Sequence, residues 1–423
     1  ILRRLGDLGY AFARVAAALE VNRENREADL AFSVRPGPRC RFGSLRVVGR
    51  QKATEGLIRR GLTFAPGEPF NRRQLATSRR QLYRSGVFRT VAVGLPDSVA
   101  EESPVDIVVS VSERPPRRLK LGVGYDTEEQ VRGSLSWLHR NIWGAGTQMA
   151  VESAASALEA RAAVSLTHPF LLDSKTWLKL TGFVEHERPV EVRVKRAGGS
   201  ASLERTFRAS GRLVLQVRTE LIDFKSDSAR TTLTVEYQRD TRDDYFDPQR
   251  GMLAYLSVEA SAFPDLLKLT GEGRWYRRVS PRNVVALRTT GGVALHPGSV
   301  EALPNFERFF AGGANSVRGW SLNQLSPRDI RGLPVGGRSL LEGSLELRTR
   351  LLPFLGMALF LDAGNVGLGR FDAFDPDALR TSAGAGLRYL SPIGPMRLDF
   401  SSRISQDSYA PDYRVYFSLG QAF

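Results

Sequence analysis

Cysteine is almost missing: Cys40 stands alone in 423 residues, so no intramolecular disulfide can form and no cysteine-rich zinc site can be built. The four histidines, His139, His168, His186 and His296, are scattered without paired ligand spacing, which argues against a metal enzyme. No nucleophile elbow, phosphate loop or dinucleotide fingerprint occurs. Low-complexity tracts are lacking as well. No run of about eighteen apolar residues is present, so the sequence holds no candidate transmembrane helix, and a membrane-spanning form would have to be a β-barrel. No charged, apolar, small-residue leader opens the chain, which begins at Ile1 inside an amphipathic segment and reads as the interior of a longer sequence.

What is present is globular in texture, with 42% hydrophobic and 25% charged residues, and the length is enough for more than one domain. The net charge of +15 raises nucleic acid or an anionic membrane surface as partners. The excess is arginine spread along the whole chain, without the aromatic and basic stripe of a nucleic-acid groove. Nucleic acid is therefore not expected. Cys40 is expected to pack as a small hydrophobe.

Residues 1 to about 15 read helical, followed by a hairpin of residues 16–21 and 28–34 around a polar turn. This is the C-terminal part of a small α/β module, residues 1–40. A complete copy follows in 41–115: a strand at 42–48, helices near 54–61 and 71–85, and strands at 87–95 and 105–112. Asn71 is a good N-cap, Leu75, Leu82 and Tyr83 share a helical face, and Ser85-Gly86 ends the helix. Glu113-Arg114-Pro115-Pro116 breaks the pattern, because proline withholds a backbone donor.

From 116 to 423 the texture is period two almost throughout, in segments whose number comes to about 16 strands of membrane-spanning length. Two of them are assigned to the less regular stretch 188–224. Alternate connections, 141–146, 243–251, 280–283, 353–356 and 391–395, are short and turn-rich, as along one rim of a barrel. A large soluble β-sandwich or propeller is the competing reading.

The chemical oddity of the chain is Phe309 to Trp320, FFAGGANSVRGW, set in a long connection of about 297–338. Gly312, Gly313 and Gly319 make it a tight loop, and Val317, Gly319 and Trp320 flank Arg318, whose five-donor fork suits a carboxylate. Glu346 and Asp362 alternate with Leu345, Leu347, Leu361 and Ala363 on adjacent strands, so both carboxylates share the lumen side when the leucines face lipid. Such a pair favours a cation between them.

The loop string resembles the VRGF/VRGY motif of the BamA/TamA superfamily of outer-membrane assembly factors. Residues 344–347, 360–364, 384–388 with 392–395, and 240–251 resemble further barrel motifs of that superfamily in the same order, and 41–115 resembles its periplasmic POTRA module. The mostly short outer loops look closer to its TamA branch. The resemblance implies a mainly β fold, a transmembrane barrel of about 16 strands behind an α+β POTRA domain, located in the outer membrane with a periplasmic N-terminal region. It implies that the loop folds into the barrel and that Arg318 meets Glu346 and Asp362. It also implies a lateral seam between the first and last strands, involving Leu119, Leu121, Gly122, Val123, Ser418, Gly420 and Phe423, where Gly420 weakens its strand.

The implied partners are unfolded outer-membrane protein clients, a periplasmic or inner-membrane-anchored protein bound through POTRA, and outer-membrane lipid with lipopolysaccharide. No cofactor and no enzymatic step are implied. A two-partner secretion transporter of the same superfamily, a diffusion porin and a soluble basic binding protein remain the alternatives.

Overall fold

A computed structural model of the chain describes residues 1–423 except 23–24, 26, 97–100, 189–192, 208–209, 225, 246, 263, 392–393, 406–412 and 420–423. Contacts divide it into two units, one made of residues 1–118, 138–149 and 166–178, the other of 119–137, 150–165 and 179–423.

In the first unit, helix α1 (Leu2–Asp7) is followed by a hairpin of β1 (Arg14–Asn22) and β2 (Glu27–Arg35). The helix is less than half the length expected from the sequence. Gly9, at φ +104°, takes the chain out of helical geometry, and Arg14 and Val15 are already paired in the strand with Arg35 and Val34. The amphipathic pattern of 1–15 was thus a short helix, a turn and a strand end read as one element.

The complete module runs β3 (Phe42–Val48), α2 (Glu55–Arg60), α3 (Arg72–Arg84), β4 (Phe88–Gly94) and β5 (Val105–Glu113). Its sheet has the order β3-β5-β4, with β3 parallel and β4 antiparallel to β5. Thr54 caps α2 by accepting from Leu57 N, and Asn71 caps α3 by accepting from Arg73 N, each satisfying a donor that the helix itself leaves open. Leu57, Ile58, Leu75 and Leu82 enter a core with Cys40, Phe42, Phe88 and Ile107. Tyr83 does not join them: it is exposed, while Ser78 and Gln81 are the polar residues of α3 that lie buried. Burying a side chain of the Leu57 kind contributes about 1.5 to 3 kcal/mol. The core is completed by Phe170, 1% exposed, from the connection between β9 (Glu159–His168) and β10 (Thr176–Glu187). Phe170 meets Trp177 edge-on and has φ +60°, a backbone state a phenylalanine holds only where packing fixes it.

Sixteen antiparallel strands, from β6 (Arg117–Asp126) to β21 (Tyr413–Leu419), close into one barrel. The irregular stretch supplies β11 (Val194–Phe207) and β12 (Gly211–Phe224), fully paired. Closure and single-layer topology rule out the sandwich and the propeller. The residue sorting is inverted relative to a soluble protein: Leu221, Leu345, Leu361, Phe400 and Val415 are exposed on the strands, whereas Arg132, Glu185, Glu220, Arg230, Asp362 and Asp399 are buried. An apolar outside around a polar inside is the arrangement that a hydrocarbon solvent requires. No helix among the described residues is long and apolar enough to cross a membrane.

Candidate functional site

Three strands build the floor of the site: β17 (Ser339–Arg350), β18 (Leu355–Gly367) and β20 (Gly394–Arg403). Alternation puts Ser344 and Glu346 of β17 on the inner side, with Leu345 and Leu347 outside, and register places Ser344 opposite Asp362. On β20 the same parity turns Leu398 and Phe400 outward and leaves Asp399 fully buried.

The loop between β16 (Asn283–Leu295) and β17 reaches this floor. Gly312 N donates to Ser316 Oγ at 2.8 Å, and Gly313 N to Trp320 O at 2.8 Å, so the loop is tied within itself. Val317 and Trp320 are fully buried in an apolar cluster with Phe309, Leu325, Leu340 and Val366. Gly319 has no room for a side chain, since a Cβ there would lie 2.7 Å from Arg403 Cγ and 2.8 Å from Ser382 Cβ.

Arg318, 4% exposed, is the centre of the polar network. Its Nε and Nη2 donate to the two oxygens of Asp362, both at 2.7 Å, and its backbone N–H donates to Asp362 Oδ2 at 3.1 Å. Nη1 donates to Glu346 Oε1 at 2.7 Å, and Nη2 also reaches Ser344 Oγ at 3.1 Å. Asp399 Oδ2 stands 3.6 Å from Nη1. The guanidinium lies over the Phe360 ring, 3.4 Å from its centroid. Arg348 donates to Glu346 at 2.8 Å, Arg397 lies 3.5 Å from Asp399, and Arg388 also donates to Asp399. Each buried carboxylate is thus met by a guanidinium, which offsets the large cost of taking it out of water. A planar fork is suited to this where a point-charge ammonium is not.

Sequence reasoning missed Asp399, Ser344 and Phe360. The signal for Asp399 was available in the alternation of Leu398 and Phe400 around it. The contacts of the loop with Ser401 and Tyr416 could not have been found, because they join residues far apart in the chain and no motif marks either residue. Tyr416 of β21 donates to Trp320 O at 2.6 Å, and Ser401 of β20 donates to Arg318 O.

On the opposite side of the seam, Glu128 follows β6 and accepts Ala314 N–H at 3.0 Å. Burial pushes its carboxyl up to about 7 from the usual 4.5, against the opposing pull of that hydrogen bond. The folded protein therefore holds this proton more tightly than the unfolded chain, so the contribution of Glu128 to stability falls as pH rises from 4.5 to about 7 and is level above that. Replacing Glu128 by Gln, which keeps the acceptor oxygen, is expected to flatten that part of the stability profile. Denaturant midpoints taken across the window check this, and an unchanged slope would mean that Glu128 does not titrate there.

Among the described residues the seam between β6 and β21 pairs Ser418 with Asp126 and Leu419 with Tyr125, and β20 pairs with β21 from Met396 with Leu419 to Ser402 with Tyr413. Thr127 N donates to Phe417 O at 3.0 Å, and the Tyr125 and Phe417 rings stand 6.3 Å apart. Gly122 and Ser418, both expected at the seam, are not partners there, because the register is set four residues further along β6. Leu119, Leu121 and Val123 are exposed on β6. Gly420 and Phe423 lie outside the described residues.

Comparison with known proteins agrees with this architecture. Residues 40–114 match a POTRA family model described as a surface antigen variable number repeat. The outer membrane protein assembly factor BamA of Nitratidesulfovibrio vulgaris is 27% identical over 99% of this chain, and the match spans 56% of that relative's length. The crystal structure of BamA from Haemophilus ducreyi lacking POTRA domains 1-3 superposes with a TM-score of 0.77 at 18% identity, covering 99% of this chain and 91% of that one. CdiB from Acinetobacter baumannii superposes with a TM-score of 0.61 at 14% identity, covering 97% and 78%. Residues 141–423 match the Omp85 superfamily domain, and the chain belongs to that superfamily.

Proposed function

We propose that this chain is the membrane-embedded part of an outer-membrane protein assembly factor. Its barrel sits in the outer membrane, its POTRA module faces the periplasm, and unfolded β-barrel or autotransporter clients enter the bilayer beside the β6–β21 seam. The observation that carries the reading is a loop tied to both sides of the seam where the first and last barrel strands meet, by Tyr416 and Trp320 on one and by Glu128 and Ala314 on the other. Unpaired backbone groups in hydrocarbon cost several kcal/mol each, so a seam edge that opens gains from any strand that pairs with it. A client strand held there is released when its own barrel closes. The name of the Nitratidesulfovibrio vulgaris relative supports this role. Arg318, Glu346 and Asp362, with Gly312, Gly313, Val317, Gly319 and Trp320, are structural parts of the device, which needs no catalytic group.

POTRA would deliver clients by pairing its sheet edge with them and would contact a periplasmic or inner-membrane-anchored protein. Lipid and lipopolysaccharide surround the barrel. The test is reconstitution of the protein in liposomes, to which a urea-unfolded outer-membrane barrel is added. Client folding, read by resistance to added protease, is expected to be faster than in empty liposomes of the same lipid. Equal rates would remove the assignment.

A further inference from the structure

We propose that a five-arginine recess at the end of the barrel where β6 begins binds the phosphate group of an anionic phospholipid. The recess, of about 410 Å³, is lined by Arg89, Arg114, Pro115, Arg117, Arg118 and Arg140. Among the described residues no acidic side chain lines it. Two of the arginines are built into the backbone: Arg114 Nε donates to Phe88 O at 2.9 Å, and Arg140 Nη1 donates to Pro115 O at 2.8 Å. Arg140 is buried, and its burial together with the neighbouring charges of Arg118 and Arg114 holds its guanidinium below the ordinary value. Like charges fixed around a recess repel one another, and an anion placed among them turns that repulsion into charge-assisted hydrogen bonds. Guanidinium forks match the paired oxygens of a phosphate.

The position selects a lipid over a free anion. Arg117 and Arg118 are the first residues of β6, and Arg140 directly follows β7 (Gln130–His139), so all three stand where membrane-crossing strands end and headgroups begin. Along β6 the arginines run straight into Leu119 and Leu121, whose exposed side chains suit acyl chains. Trp143 and Leu172, 67% and 76% exposed, project from the connections after β7 and β9, as interfacial anchors do. This inference rests on the barrel spanning a membrane, but not on its assembling clients, and the two fail separately because the readout below is binding.

The experiment uses the purified chain in detergent and short-chain phosphatidylglycerol, with bound lipid counted by native mass spectrometry. Arg114 and Arg140 hold the wall and are left in place; Arg117→Gln with Arg118→Gln is the test variant, and Arg79→Gln, on the exposed face of α3, is the control. At about fivefold per basic residue, the double variant is expected to lose roughly 25-fold in affinity and the control nothing. Unchanged binding by the double variant, with folding verified by resistance to SDS, overturns the proposal. Short-chain phosphatidylcholine binding as well as phosphatidylglycerol, or inorganic phosphate displacing the lipid at equal concentration, overturns the assignment of an anionic lipid.

Discussion

Arg318→Ala is expected to release the loop from the barrel floor. The substitution leaves Asp362, which is fully buried, with Ser344 as its remaining side-chain donor, and strips Glu346 of one of its two guanidiniums. Removing one partner of a buried charge pair costs about 3 to 5 kcal/mol, because the other charge stays out of water. Surface pairs contribute about 1 kcal/mol or less, so the burial of Asp362 decides the size of the effect. The barrel ladder is independent of the loop, so the variant should still fold. Its conversion from the compact to the extended form on semi-native gels should occur at a lower temperature, and client insertion should slow in parallel. Arg318→Lys restores charge without the two-pronged geometry and should fall between. Wild-type values for Arg318→Ala in both assays would reduce the arginine to an ordinary loop residue.

The second large effect is expected from locking the seam. Tyr125 and Leu419 are register partners, so cysteines at these positions lie where a cross-strand disulfide can close. Cys40 is buried in the POTRA core and is replaced by alanine to leave one oxidisable pair. Asp126 and Ser418 are the neighbouring pair but a poorer choice, since Asp126 accepts from Glu128 N and Glu129 N and pairs with Arg132 at 2.9 Å. In the oxidised form, insertion of a client into liposomes should drop to the rate in empty liposomes and recover on reduction. If the oxidised protein keeps the unlocked rate, the seam is not the route, and passage through the lumen, as in a secretion transporter, becomes the better account.

The barrel was legible in the sequence because every spanning strand must sort its side chains between lipid and lumen, which writes a two-residue period into the chain. Glu346 and Asp362 could be placed on the inner side by that rule alone. Asp399 obeys it too, between Leu398 and Phe400, but lies outside every stretch whose motif marks a site residue. Helix α1 was overextended because a short helix and an adjoining strand end together imitate a longer amphipathic helix. Spacing puts Tyr83 on the helical face of Leu75 and Leu82, although the helix leaves it exposed and buries Ser78 and Gln81 instead; their buried hydroxyl and amide are placed by tertiary contacts such as that of Ser78 with Thr63 N. Glu128, Tyr416 and the partners they meet on the loop are separated by tens to hundreds of positions, and no local pattern announces such contacts.

Phe170 has a meaning beyond packing. It is borrowed: a residue encoded between two barrel strands fills the interior of a module encoded more than fifty positions earlier, where it lies against Gly61 and fully buried Leu82. The module's interior is completed by the connection between β9 and β10, not by its own sequence alone. A piece cut at residue 114 lacks that side chain and would carry an open socket in its place. In the intact chain the fit of the module therefore depends on a residue supplied by the connection between β9 and β10, so a small side chain at position 170 should loosen a module that contains no altered residue of its own.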